Sequence, residues 1–146
     1  IFWKIYYLRK KVINIQTLKF LGFWMGNSVL IWVTAQIAPE GLILGNQHIL
    51  PFWACVFAGY ILSAIDILIE PTLKLLKVRV KNQSQLIVLS VAINSISFWG
   101  VTRLALMVGV GIPVFWWAAI VGIILTLGQL TISQGLTALT SRLRVI

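Results

Sequence analysis

Asn94-Ser95-Ile96-Ser97-Phe98-Trp99 opens a stretch, running to Gln129, whose pattern the chain holds twice. After Trp99 comes a glycine-rich break (Gly109, Gly111, Pro113), then Phe115-Trp116-Trp117-Ala118 and an apolar run. Upstream, Asn27-Ser28 is followed by Trp32, a break with Pro39, Gly41 and Gly45, then Pro51-Phe52-Trp53-Ala54 and another apolar run. Both copies share Asn-x-x-x-x-Trp, and they differ in length mainly in the break. Each copy reads as apolar segment, turn, Trp-Ala, apolar segment. The pattern predicts two helical hairpins.

Composition fixes their solvent. The 146 residues are 60% hydrophobic and only 10% charged, against about 25% charged in a soluble domain. Mean hydropathy is +0.97. So little polar surface cannot cover a water-soluble globule, whereas a bilayer requires an apolar exterior. The expected fold is therefore an all-α integral membrane protein: four transmembrane helices arranged as two parallel-repeat hairpins.

The spans follow from the charges. Phe20 to Pro39 holds 20 residues and no charge, enough to cross a hydrocarbon core of ~30 Å. This run is long for a signal peptide's apolar region, and three comparable runs follow, so it reads as a retained first span. Ile49 to Ile69 is the second span, with Pro51 at its first turn, where a missing N–H costs nothing, and Glu70-Pro71 at its close. Leu86 to about Val108 is the third. Val114 to about Leu136 is the fourth. The expected divisions are a basic aromatic interfacial segment (1–19), a first hairpin (20–70), a basic connector (71–85), a second hairpin (86–137) and a tail (138–146).

Net charge is +9, from 12 basic and 3 acidic side chains. The bases sit in short clusters between apolar runs, with no nucleic-acid motif or basic stripe, so nucleic acid is not an expected partner. Five lie near the amino end (Lys4, Arg9, Lys10, Lys11, Lys19), four in the connector (Lys74, Lys77, Arg79, Lys81) and two in the tail (Arg142, Arg144). The turns at 39–48 and 109–113 carry none. The positive-inside rule then predicts a multi-pass protein of the cell's inner (cytoplasmic) membrane with both termini in the cytoplasm. Lys4, Arg9, Lys10, Lys11, Lys74, Lys77, Arg79 and Lys81 become candidates for contact with anionic lipid headgroups or a partner.

Polar groups inside a span are costly and need partners. Asn27 and Asn94 each fall about eight residues into their spans. Asp66 and Gln129 lie several residues from the same ends of theirs. All four are expected in the inner half of the bilayer, as a polar layer within the bundle. Interhelical hydrogen bonds of about 0.6–2 kcal/mol each are the plain reading; a transport or proton site is the other. Asp66 and Arg103 differ in depth by roughly 20 Å at 1.5 Å per residue, so Arg103 is expected to snorkel to the outer interface. Asp66 is then free to meet Lys74 or a base of the amino-terminal segment, and Glu70 reads as solvated. Gly22-x-x-x-Gly26, Ala58, Gly59 and Gly122 permit close helix approach.

With one His, one Cys and three acids, few catalytic sets can be assembled, and an enzyme is not expected. His48 reads as a solvated loop residue and Cys55 as an apolar filler. No metal cluster or phosphate-binding loop is present in the sequence, so no metal or cofactor is expected.

The hairpin repeat, with Asp66-Ile67-Leu68-Ile69-Glu70-Pro71-Thr72-Leu73-Lys74-Leu75-Leu76, resembles the small four-span bacterial proteins of the phage holin family 4 superfamily, the YvlD-like proteins. The resemblance covers about residues 20–135. In that family the second span ends in Asn-x-x-x-Arg-Pro-x-Leu and the third carries Ile-Asn-Ala. Pro71 and Ile93-Asn94-Ser95 fit, while Asp66 stands in the Asn position and Glu70 in the Arg position. Asn82-Gln83-Ser84 lies where a Thr-Leu-Gly is usual. The resemblance implies a holin-like membrane-permeability or envelope protein that self-associates. An accessory subunit bound to other membrane subunits and a small transporter using Asp66 as an intramembrane acid are the alternatives.

Overall fold

The computed structural model describes residues 2–143, with side chains described for Lys4 and from Ile15 to Arg142. Helix α1 spans Phe2–Ile37, α2 Pro51–Leu75, α3 Gln83–Arg103, α4 Ala105–Val108 and α5 Phe115–Leu143. Two short strands, β1 (Ile43–Leu44) and β2 (Val110–Gly111), lie in the turns. Four helices are long and apolar enough to cross a membrane, through Ile15–Ile37, Pro51–Leu75, Gln83–Arg103 and Phe115–Arg142. Their outward faces carry Met25, Val29, Phe57, Val88, Ile96, Ile120, Ile123 and Leu127, all exposed. Apolar surface on that scale belongs in lipid. The chain is a multi-pass membrane protein.

Inside the bundle, Ile31, Leu62, Phe98 and Leu125 are fully buried, one from each long helix. Helices α1 and α2 pack as one pair and α3 and α5 as another; α1 also packs on α5, and α2 packs least closely on α3, while α1 and α3, and α2 and α5, lie diagonally across the bundle. Trp24 donates from Nε1 to the Val56 carbonyl at 3.0 Å. Its ring stands edge-on to Tyr60 at 5.3 Å, with Phe20 beside it, so this pair is closed by aromatics as well as aliphatics.

Helix limits differ from the sequence expectation in several places. Helix α1 runs unbroken from Phe2, so residues 2–19 continue the helix of the first span; its 36 residues extend ~54 Å, well beyond a hydrocarbon core. Glu70-Pro71 does not close α2. Proline's φ suits a helix, and only one bond, to the Ile67 carbonyl, is lost; Ile67 and Pro71 both border an open cleft. The helix stops at a Schellman-type end instead: Val78 N–H donates to the Leu73 carbonyl at 3.1 Å and Lys77 N–H to that of Lys74 at 3.2 Å. Lys77 takes the left-handed position there, at φ 54°, which glycine normally fills. The third span breaks at Leu104, after which α4 adds one turn ending at Gly109, φ 79°.

The two turns are joined, which the sequence did not foretell. Ile43 pairs with Gly111 and Leu44 with Val110, antiparallel. Gly45 N–H donates to the Gly109 carbonyl at 2.7 Å. Asn46 caps the broken end of α3–α4, its Nδ2 donating to the Ala105 and Leu106 carbonyls. Gly41 lies flat against the Trp117 indole, where a Cβ would not fit.

Candidate functional site

Asn27, Asp66, Asn94 and Gln129 meet, one from each long helix. Asn27 Nδ2 donates to Ser63 Oγ at 3.1 Å and to Asp66 Oδ2 at 3.2 Å. Asn94 Nδ2 donates to Thr126 Oγ1 and to Gln129 Oε1, both at 2.9 Å. Gln129 joins the two sets: its Nε2 donates to Asp66 Oδ2 at 2.6 Å and to Asn27 Oδ1 at 3.2 Å. A bond that short to a carboxylate oxygen is charge-assisted.

Asp66 sets the direction of the whole network. A carboxylate only accepts, so Asn27 and Gln129 must turn their N–H groups towards it. The Gln129 oxygen then faces Asn94, which must answer with its own NH2. Every carboxamide N–H is thereby used inside the layer. Ser63 and Thr126 donate to their own helix, to the Gly59 and Gly122 carbonyls at 2.7 and 2.8 Å, and so keep an oxygen free to accept from the asparagines.

The contacts of one helix pair recur in the other. A Cβ added at Gly59 would collide with Ser28, and one at Gly122 with Ser95. Ser28 and Ser95 donate in turn to the Trp24 and Val91 carbonyls. Gly59, Ser63 and Asp66 therefore match Gly122, Thr126 and Gln129, at one spacing along one helix face. Sequence reading had named the four polar residues and the glycines, but gave no contact role to Ser63, Thr126, Ser28 or Ser95, the last two appearing only within the repeated Asn-Ser. The i, i+3 step from hydroxyl to acid or amide was a signal that could have found the first two.

Below the layer lies a cleft of about 370 Å³ among all four long helices. Lys19 and Phe23, Asp66 and Glu70, Ser90 and Asn94, Gln129 and Ser133 contribute to its wall. A second cleft of about 400 Å³, bordered by Gln16 and Lys74, shares Lys19, Asp66 and Glu70 with the first. No family model, curated protein or solved structure matches this chain.

The remaining charges are dispersed. Glu70 is exposed, as expected, and pairs with the equally exposed Lys74 at 3.0 Å, while Asp66 makes no ion pair with Lys74. Arg103 lies over the Trp99 ring at 4.7 Å and makes no ion pair with Asp66. Lys4, Lys77, Arg79 and Lys81 are exposed; Arg79 borders a shallow groove with Val78, Val80 and Val88. Arg9, Lys10 and Lys11 lie outside the described side chains. Gly22 and Gly26 pack against Leu136 and Ile132 of α5. His48 is exposed and Cys55 is buried.

Proposed function

We propose that this chain is a non-enzymatic membrane protein of the holin-like, YvlD-like kind, acting on membrane permeability or the envelope by self-association. It sits in the cytoplasmic membrane, and the end carrying Lys19, Lys74 and the connector faces the cytoplasm. Its hairpins form a parallel repeat about an axis along the membrane normal. The observation that carries the reading is the doubled contact set, Asn27–Ser63–Asp66 with Asn94–Thr126–Gln129. The antiparallel pairing of β1 with β2 is what such an axis generates where the two turns cross. The core residues packed on the layer, Ile31, Leu62, Phe98 and Leu125, fill the interior of a single copy. Permeation then runs between copies.

Reconstituted vesicles test this. Dye release that climbs more steeply than in proportion to protein-to-lipid ratio is expected, with a homo-oligomer on gentle extraction. No release at any ratio from a lone monomer would overturn it, and fixed co-purifying subunits would make the chain an accessory subunit.

One observation favours a second reading. The clefts reach Asp66 from one end of the bundle only among the described residues, as a site in a small transporter would. Dissipation of a cation gradient that is lost in Asp66→Asn supports it; dissipation that survives rules it out.

A further inference from the structure

The cleft below the polar layer has an unbalanced lining. Every N–H of Asn27, Asn94 and Gln129 is engaged within the layer. The oxygens are not. Asp66 uses Oδ2 for both of its bonds, and Asn94 Oδ1 accepts none among the described residues, although Asn94 is only 2% exposed. Among the described residues no fully buried side-chain oxygen or nitrogen lacks a partner, so these two oxygens reach the cleft space that Asp66 and Asn94 line. The Ser90 and Ser133 hydroxyls, on α3 and α5, make no hydrogen bond among the described residues either, and both residues line the same space. A wall of acceptors calls for a ligand rich in donors.

Shape adds the direction of entry. Gly22, Gly26 and Gly128 bring α1 and α5 together, their Cα atoms seated against Leu136, Ile132 and Leu30. At the corresponding positions of the other helix pair stand Leu89, Ile93 and Ile65. Bulk where the counterpart has glycine holds α2 and α3 apart, and of the long-helix pairs that touch, this one touches least. Ile69 and Leu73 of α2 face Leu86 of α3 across that gap. The cleft wall on that side is apolar. Lys19 of α1 lines the same cleft, its amine 5.6 Å from the Phe23 ring centroid.

We propose that the cleft binds the headgroup of an aminophospholipid entering between α2 and α3, with its primary ammonium on Asp66 and Asn94 and its phosphate on Lys19. An ammonium brings three N–H donors to share among Asp66 Oδ1, Asn94 Oδ1 and the two serine hydroxyls. The cleft, at about 370 Å³, exceeds what a bare metal ion needs. Lys19 repels a free cation but complements a zwitterion whose negative end lies outward. The apolar gap takes the acyl chains. The site draws on the repeat only for the correspondence of positions; its lining stands on contacts alone.

The test is native mass spectrometry of the full chain released from nanodiscs holding equal phosphatidylethanolamine and phosphatidylcholine. Retention of the ethanolamine lipid by roughly tenfold is expected, the size of one charge-assisted hydrogen bond, and it falls with each N-methyl group added. Ser90→Ala with Ser133→Ala leaves the layer's bonds intact and lowers that preference several-fold without changing the unfolding temperature; Asp66→Asn abolishes it. Equal retention of the two lipids overturns the proposal, as does an unchanged preference in the double serine variant. Displacement of the lipid by millimolar ethanolamine overturns the lipid as the source of the ammonium. The outcome is separable from permeability: dye release without lipid preference sinks this site alone, and preference without release sinks the pore alone.

Discussion

Asn94 and Asn27 hold the same place in the two halves, yet their losses are not equivalent. Removing Asn94 strips Thr126 and Gln129 Oε1 of their donor. Removing Asn27 also leaves one Gln129 N–H without its acceptor and takes one of two donors from Asp66. Asn94→Ala is expected to cost about 1–3 kcal/mol in reversible unfolding in mild detergent, and Asn27→Ala more, because it weakens the support of a charge. Equal costs would show that the Asp66 contact contributes little. Glycine gives a second contrast. Gly59→Ala and Gly122→Ala drive a methyl into Ser28 and Ser95 and are expected to destabilise by about 1–3 kcal/mol. Gly100→Ala and Gly135→Ala meet nothing and should raise stability by about 0.5–1 kcal/mol, read as a higher melting temperature. At this scale the sequence exposed the intramembrane polar residues, since such groups stand out against an apolar run. It did not expose their pairing. Lys74 was as near to Asp66 in sequence as any base, yet the i, i+4 step to Glu70 claims it.

Elements were legible where hydrophobic length sets them and less so at their ends. Four apolar runs were enough to find four spans, because ~30 Å of hydrocarbon demands about 20 residues. The ends depend on backbone detail that hydropathy does not carry. Pro71 suggested a stop, but a proline one turn from a helix end removes one bond and leaves the rest. The true stop is Lys77 in the left-handed position, where no glycine marks it. Lys77→Gly should therefore stabilise the protein by about 0.5–1 kcal/mol, seen as slower unfolding of α2 by hydrogen exchange; a loss of stability would mean that the lysine charge matters more than the backbone. The strand pair between the turns was likewise hidden. Two residues of sheet have no sequence period, and they pair only because the packed helices bring the two turns together.

As a whole, the molecule is two helix pairs joined at both ends of one hydrogen-bonded chain of amides, with strands at one end and a basic surface at the other. The proposed orientation has His48 outside the cell and Lys81 in the cytoplasm. In a Cys55→Ala background, His48→Cys should label with an impermeant thiol reagent applied outside the cell, and Lys81→Cys only after permeabilisation; labelling of both from one side would refute the four-span topology. The direct test of the central claim, that one polar layer binds the pairs into a single unit, is a double-mutant cycle between Asn27→Ala and Gln129→Ala. These residues sit 102 positions apart and share a bond of 3.2 Å across the middle of the bundle. A coupling of about 0.5–2 kcal/mol in reversible unfolding in bicelles is predicted. Strict additivity of the two losses would contradict it, and would mean that the two helix pairs stand beside each other without being joined.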